Sequence, residues 1–431
     1  MKVSHFYFVF VFQCSVLISD EDLILSGDSQ CAPPDVLIQK HHTNAVMNSC
    51  MSRMLPRHLI ILSVSSVLLV IVVSQVLYVY LPWRLAVIAG QNVYAEVRLS
   101  LPPSGTFKVL QLADVQISRM DQVCLDLTAE QRKWPCDAHN TTAFIQRLVV
   151  LERPDLVVFS GDNVVHEGNY FPDGVQTHSI LDEVLRPIVH AGIPFVSILG
   201  NHDVESPFMS ASGIHDYLRR KGALVSGNGL VRVEDTDGFP LWHVWLLDYM
   251  HRYCLLCDHG GYSMPFIGSM GGYAPITNAQ VQFFRRTSEA QVPAIVFAHV
   301  PLPAYQTMLD HFDSGRPEAR WEGIVGDRYD PVSQAWIPFG YNWGNALYES
   351  FAEANVVAMS VGHDHTNDFC GRSVNGSVAL CYAGGAGYQG YGRAGWKRRA
   401  RLFVMRGDGK AYTYKRLDDE YLSMLHYQQL S

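Results

Sequence analysis

Five times between residues 107 and 365 an apolar run of strand length gives way at once to Gly, Asp, Asn or His. The run at 107–112 leads to Asp114, and the run at 155–160 to Gly161, Asp162 and Asn163. The run at 194–199 leads to Gly200, Asn201, His202 and Asp203. The run at 293–298 leads to His299, and that at 355–360 to Gly362, His363, Asp364 and His365. Short runs this apolar suit strands buried on both faces. A sixth strand run covers 242–248. Helical periodicity fits 141–152, 175–191, 278–290 and 343–354, with Thr277 and Asn278 offering an N-cap to the third. The βαβ rhythm predicts an α/β fold, a buried sheet with helices on its faces. Ligands of such sheets bind beyond the carboxyl ends of the strands. Carboxylates, imidazoles and one carboxamide are therefore aimed at a single edge. Residues 304–342, rich in Gly, Pro and Trp, read as a long surface insertion.

The residue types at that edge are those of a metal centre. Asp oxygens and His nitrogens suit zinc, manganese and iron. A carboxylate shared by two ions bridges them about 3.5–4 Å apart, the geometry of two-metal phosphoester hydrolysis. The glycines before Asp162, Asn201 and His363 let the backbone turn off each strand and approach an ion. Each piece alone is a common turn or a hydrogen-bonded core histidine. Gly-Asn-His-Asp and Gly-His-Asp-His are more specific, because the second presents two imidazoles on the same side.

The order of these pieces resembles the calcineurin-like metallophosphoesterases. Their pattern runs Asp-x-His, Gly-Asp, Gly-Asn-His-Asp/Glu, a lone His, then Gly-His-x-His. Here it stands as DVQ at 114–116, GD at 161–162, GNHD at 200–203, His299 and GHDH at 362–365. SILGNHDVE at 197–205, GHDHTNDFCG at 362–371 and CYAGGAGYQGYGRAGWKRRAR at 381–401 resemble the short purple-acid-phosphatase-like branch. The resemblance covers roughly 105–405.

It implies a four-layer α/β/β/α sandwich holding two divalent ions of zinc, manganese or iron. Asp114, Asp162 and His365 would hold the first metal, Asp162 would bridge, and Asn201, His299 and His363 would complete the second. A metal-bound hydroxide would attack phosphorus. His202, oriented by Asp203, would contact the phosphate and protonate the leaving group. Asn163, Tyr388 and Arg398 are candidates for substrate binding, and Tyr391 for shaping the mouth. Lys397, Arg399 and Arg401 could attract a phosphate but read at least as well as a solvated basic edge, and His166 reads as a surface histidine rather than a ligand. The branch resemblance also makes Asn367 and Asp368 a structural loop held by Cys370–Cys381.

The pattern breaks in two places. Gln116 stands where the family has His, leaving its carbonyl an uncertain ligand. Val165 stands where purple acid phosphatases have the tyrosine that gives them their colour. A first metal held less tightly, and no purple band, are the expectations. They leave two functions: a phosphatase or phosphodiesterase acting on a phosphoester, or a non-catalytic receptor or scaffold on the same fold. A net charge of -8 argues against a general nucleic-acid binder.

Ahead of this domain, residues 59–81 are 23 residues without a charge. At about 1.5 Å per residue such a helix spans a hydrocarbon core of about 30 Å. Tyr78, Tyr80 and Trp83 gather at its far end, as in an aromatic belt. The division is then a tail at 1–58, a transmembrane signal anchor at 59–81, a linker at 82–104 and the phosphoesterase domain at 105–431. Lys40, Arg53 and Arg57 upstream favour a cytosolic N-terminus and a type II protein facing outward or into a lumen. Residues 1–20 resemble a poor signal peptide, whose cleavage would reverse that orientation; a start at Met47, Met51 or Met54 would remove them. Six cysteines follow the anchor, an even number suited to disulfides in an oxidising compartment. Cys124–Cys136 and Cys370–Cys381 are the neighbouring pairs, while Cys254–Cys257 reads as a disulfide, a redox pair or half a zinc site. Asn140 and Asn375 sit in glycosylation triplets.

Overall fold

The computed structural model describes residue 69 and residues 94–133, 135–165, 173–206, 208–249, 276–313, 321–326, 344–372 and 377–431. The chain divides into Met1–Leu77 and Tyr78–Ser431, and the description concerns the second unit.

Its elements run β1 (Ala95–Ser100), β2 (Thr106–Leu112), α1 (Ala138–Glu152), β3 (Leu156–Ser160), α2 (Gly174–Ala191), β4 (Phe195–Ile198), α3 (Ala211–Arg220), β5 (Val225–Ser226), β6 (Gly229–Glu234) and β7 (Pro240–Leu247). They continue with α4 (Asn278–Thr287), β8 (Ala294–Ala298), α5 (Pro303–Asp313), β9 (Trp321–Glu322), α6 (Gly344–Glu353), β10 (Val356–Val361), β11 (Cys370–Arg372), β12 (Ala379–Tyr382), β13 (Arg399–Arg406), β14 (Ala411–Leu417) and β15 (Met424–Gln429). One sheet has the order β15-β14-β13-β2-β3-β4-β5, the other β1-β6-β7-β8-β10-β12-β11-β9.

Three apolar clusters stack these elements into layers. Between the sheets, Phe107, Val109, Val158 and Val196 of one meet Trp242, Val244, Ile295 and Phe297 of the other. Phe297 and Phe403 cross edge-to-face there, with ring centroids 5.4 Å apart. Phe144, Ile145 and Leu148 of α1 and Leu181, Leu185 and Ile188 of α2 cover the outer face of the first sheet. Val281 and Phe284 of α4, Tyr305 and Met308 of α5, and Leu347 and Phe351 of α6 cover the outer face of the second. The result is a mixed α/β sandwich in the order helix, sheet, sheet, helix. The helices begin where local sequence caps them. Asp137 with Asn140, Asp173 with Gln176 and Thr277 with Gln280 form reciprocal capping boxes for α1, α2 and α4.

Every strand and helix run read from the sequence is present within a few residues. Three readings need correction. The segment read as linker contains β1, which pairs in parallel with β6 and adds the edge strand of the larger sheet. The segment read as a surface insertion opens with α5, whose Tyr305, Met308 and Leu309 are core residues. Most of the remainder of 304–342 lies outside the described residues. The C-terminal strands β13, β14 and β15 pair antiparallel onto the parallel run that starts at β2, so the sheet is mixed rather than built by βαβ units alone.

Apart from Leu69, the proposed anchor at 59–81 lies outside the described residues, as do His166, Cys254, Cys257 and Asn375. Among the described residues no helix is long and apolar enough to cross a membrane. Among the described residues two disulfides are formed, Cys124–Cys136 and Cys370–Cys381, the second between directly paired residues of β11 and β12.

Candidate metal centre

The strands β2, β3 and β4 are parallel neighbours in one sheet, and β8 and β10 are parallel neighbours in the other. Their carboxyl ends therefore open side by side. Asp114, Asp162 and Asn201 leave the first sheet, and His299, His363 and His365 leave the second. The backbone is bent sharply to do this. Asp114, Gln116, Asp162 and His363 all have positive φ, at 53°, 42°, 55° and 75°. A non-glycine residue held there costs about 1–3 kcal/mol, and such strain gathers at functional sites. Backbone bonds from Asp114 N–H to Gly161 O (3.1 Å) and from Gln116 N–H to Asp162 O (2.9 Å) lock the two loops together.

Two groups of ligand atoms result, sharing Asp162. Asp114, Asp162 and His365, all buried, offer atoms within 4.8 Å of one another. In the second group Asn201 Oδ1 lies 3.1 Å from His299 Nε2 and 2.8 Å from His363 Nδ1. Asp162 Oδ2 lies 3.2 Å from the same His299 Nε2. The outer ring nitrogens are already committed. His299 Nδ1 faces Ser160 O at 3.0 Å, and His365 Nδ1 faces Tyr391 O at 2.7 Å. A backbone carbonyl accepting that N–H fixes the tautomer, leaving the other nitrogen's lone pair turned inward.

Inward lone pairs on nitrogen and oxygen attract a positive charge. Burial alone would lower the pKa of His299, but the Asp162 charge outweighs it and holds the ring up to about 9. Burial likewise opposes ionisation of Asp162, yet the His299 and His202 charges draw its carboxyl well below the usual range. Burial and the His299 charge push His363 down to about 4. A proton thus performs in part what a metal ion would perform, and ion binding would displace it. The space also fits. A Cβ on Gly200 would stand 2.1 Å from Asp162 Oδ1, so only glycine lets the loops meet. Asn163 Oδ1 is buried without a partner beside these ligands. Nitrogen and oxygen donors without thiolate suit zinc, manganese or iron.

Residues 107–367 match the family model described as "Calcineurin-like phosphoesterase". This chain belongs to the calcineurin-like phosphoesterases. It is 32% identical over 369 residues to "Probable inactive purple acid phosphatase 29" of Arabidopsis thaliana, covering 77% of this chain and 88% of that protein. To "Probable inactive purple acid phosphatase 28" of the same plant it is 30% identical over 383 residues, covering 78% and 89%. A dimetal phosphatase structure from Danio rerio covers 75% of this chain and 98% of its own, at 14% identity and a TM-score of 0.47. The family uses a dinuclear divalent metal centre.

Three roles expected from the sequence are corrected. Asp203 does not orient His202. Its carboxylate is consumed by four backbone N–H groups, those of Asp162 (2.9 Å), Asn163 (2.8 Å), Val164 (3.0 Å) and Gly200 (2.8 Å). It is the staple that joins the two loops. Burial and the Asp162 charge hold its carboxyl up, against those four donors. The carboxylate beside His202 is Glu205, whose Oε2 lies 2.8 Å from Nδ1 on a bent approach.

Arg398 and Tyr388 are likewise structural. Arg398 is buried and donates to the carbonyls of Tyr391 (3.0 Å), Gly390 (3.0 Å) and Leu125 (3.1 Å). It clamps the glycine-rich loop that carries Tyr391 O to His365. Tyr388 is buried with its hydroxyl on Asp418. The expected basic edge is internal too. Arg399 and Lys415 pair with the buried Asp368 carboxylate, and Arg401 donates to the Asp368 carbonyl at 2.7 Å. Lys397 remains on the surface. Tyr391 is half exposed and stacks on the His365 ring at 3.9 Å.

A second constellation lies behind Asn201. His215 Nδ1 is 2.8 Å from Ser226 Oγ, and its Nε2 is 3.0 Å from Asp248 Oδ2. That is the connectivity of a nucleophile, a base and an orienting acid. However, the N–H following the serine, Gly227, donates to Ser197 O and cannot serve an oxyanion. Asp248 Oδ1 accepts the Leu199 N–H at 2.8 Å, so the group braces the end of β4. No spacing rule pairs residues 215, 226 and 248 in advance.

Proposed function

We propose that this protein is a metal-dependent phosphoester hydrolase. The observation that carries this reading is the convergence of two ligand groups on Asp162, with His202 beside them. Asp114, Asp162 and His365 would hold one divalent ion, and Asp162, Asn201, His299 and His363 the other. Bound there, the ions would supply Lewis acidity toward the phosphoryl oxygens and lower the pKa of water. The chain's own residues do the rest. The backbone staple at Asp203 fixes the separation of the ligand loops. His202 Nε2 lies 3.9 Å from Asp162 Oδ2, at the rim of both groups. Burial lowers the proton affinity of His202, but the Asp162 and Glu205 charges raise it overall, which favours the protonated ring that could donate to a leaving group. Asn163, with its unpartnered buried Oδ1, would order water or the phosphate.

An outward or lumenal location behind an anchor at 59–81 is supported by Cys124–Cys136 and Cys370–Cys381, since disulfides suit an oxidising compartment.

One observation favours a second reading, a non-catalytic receptor or scaffold. Gln116 presents an N–H, not a lone pair, to Asp162 Oδ2 at 3.1 Å. Two relatives from Arabidopsis thaliana carry the word inactive in their names. The experiment that separates the readings is hydrolysis of p-nitrophenyl phosphate and its bis-ester with added Mn²⁺ or Zn²⁺, beside His202→Ala. Metal-dependent turnover of either ester supports the hydrolase, and a loss in His202→Ala on an ester of an aliphatic alcohol supports His202 as its proton donor. No turnover of either ester with any of these ions supports the scaffold.

A further inference from the structure

Glu205 has no place among the metal ligands or the loop staples described above. Its side chain is only 3% exposed, and an enclosed carboxylate is costly unless its charge is answered. The backbone explains where it points. Glu205 N–H donates to His202 O at 3.2 Å, closing a turn over 202–205. That turn puts the two side chains on one side, with Oε2 2.8 Å from Nδ1. The imidazole thus lies between two carboxylates, with Glu205 Oε2 2.8 Å from Nδ1 on a bent approach and Asp162 Oδ2 3.9 Å from Nε2. Asp203, one residue from His202, is turned away into its four backbone bonds.

We propose that Glu205 is a positioning residue, holding the Nδ1–H of His202 so that Nε2 faces the leaving oxygen of a phosphoester whose alcohol is aliphatic. This deepens the hydrolase reading and rests on it. Water brings the incoming oxygen to phosphorus. The P–O bond to the alcohol breaks, and its electron pair goes to the leaving oxygen, which takes the Nε2 proton. One proton of the attacking water later restores His202, and the other stays with the phosphate. An aryl leaving group with an electron-withdrawing ring departs without that proton; an alkoxide does not. A ring backed by a buried carboxylate is therefore matched to alkyl esters. The physical logic is that of an imidazole whose far nitrogen is oriented by an acid.

The experiment compares glycerol 2-phosphate with p-nitrophenyl phosphate, using the full chain with Mn²⁺. In Glu205→Ala, kcat on the alkyl ester is expected to fall by about 10²-fold, the lower end of proton-transfer contributions. On the aryl ester it should change little, with KM and bound metal unchanged. Glu205→Gln should recover most of the loss, because the amide oxygen accepts the same N–H. Equal loss on both esters, or a Gln variant no better than Ala, overturns the proposal. A readout free of turnover is the His202 ring N–H signal in protein labelled with ¹⁵N in its histidines. It should be present in wild type and Glu205→Gln and absent in Glu205→Ala. Its persistence in Glu205→Ala overturns the positioning contact. If wild type hydrolyses neither ester, the hydrolase reading and the catalytic half of this proposal fall together, and the N–H signal alone decides the contact.

Discussion

Gln116 Nε2 donates to Asp162 Oδ2 at 3.1 Å, so the residue that breaks the family pattern touches the carboxylate shared by both ligand groups. The placement is tight. A Cβ on Gly390 would stand 2.0 Å from Gln116 Oε1, so the glycine-rich loop closes directly on this side chain. An amide N–H at that point competes with a metal ion for the Oδ2 lone pair.

Gln116→His should therefore raise the metal retained per chain, since an imidazole there adds a ligand and removes a competing donor. Metal analysis by mass spectrometry after dialysis reads this directly. Unchanged content would mean that position 116 does not limit the first site. The wild-type protein, lacking both that His and a tyrosine at Val165, should show no purple charge-transfer band when loaded with iron.

Asp203→Asn keeps size and shape but replaces one acceptor oxygen with a donor. That NH₂ would face two backbone N–H groups, either those of Asn163 and Val164 or those of Asp162 and Gly200. Buried donors left unpaired cost about 1–3 kcal/mol each. Urea unfolding should show a loss of a few kcal/mol, on the scale of that figure. A loss of activity with unchanged stability would contradict the staple.

Arg398→Ala should loosen the loop that carries Tyr391 O to His365. Hydrogen bonds from a charged group contribute about 1.5–3 kcal/mol, and three are lost. The expected result is a lower melting temperature and weaker retention of metal, by calorimetry and metal analysis. A raised KM with stability and metal unchanged would restore a substrate-binding role.

His243 gives a pH signature outside the site. Burial and the Arg232 charge push its pKa down to about 4, from 6.5. Between those values the unfolded chain binds the proton that the folded protein refuses, so stability rises with pH. The contribution is full above about pH 6.5 and is lost as pH falls toward 4. His243→Gln should flatten that part of the stability curve relative to wild type, measured by urea midpoints at pH 5 and pH 8. Parallel curves would sink the assignment.

The strands that lead to the site, and the candidate ligands at their ends, were legible along the chain for a simple reason. A strand buried on both faces must be apolar throughout, so each break into Asp, Asn or His marks a strand end, and parallel strands bring those ends together. Periodicity found α1, α2, α4 and α6 within a few residues. It missed α5, because its apolar Tyr305, Met308 and Leu309 lie next to a stretch dominated by Gly and Pro. It missed β1, because the strand is half exposed and carries charges on its outer positions.

What the sequence by itself determined is the set of strand ends that meet at the site, and so the candidate ligands Asp114, Asp162, Asn201, His299, His363 and His365. What only the tertiary structure decided is which charged side chain serves which neighbour. Asp203 and Glu205 lie within three residues of His202, and either carboxylate could have backed its ring. The fold chose because β3 and β4 bring four unpaired backbone N–H groups to Asp203, while the turn at 202–205 leaves Glu205 facing Nδ1. Arg398 became a clamp in the same way, surrounded by carbonyls. A strand's burial is written in its own residues, but a side chain's partner depends on groups delivered by distant segments.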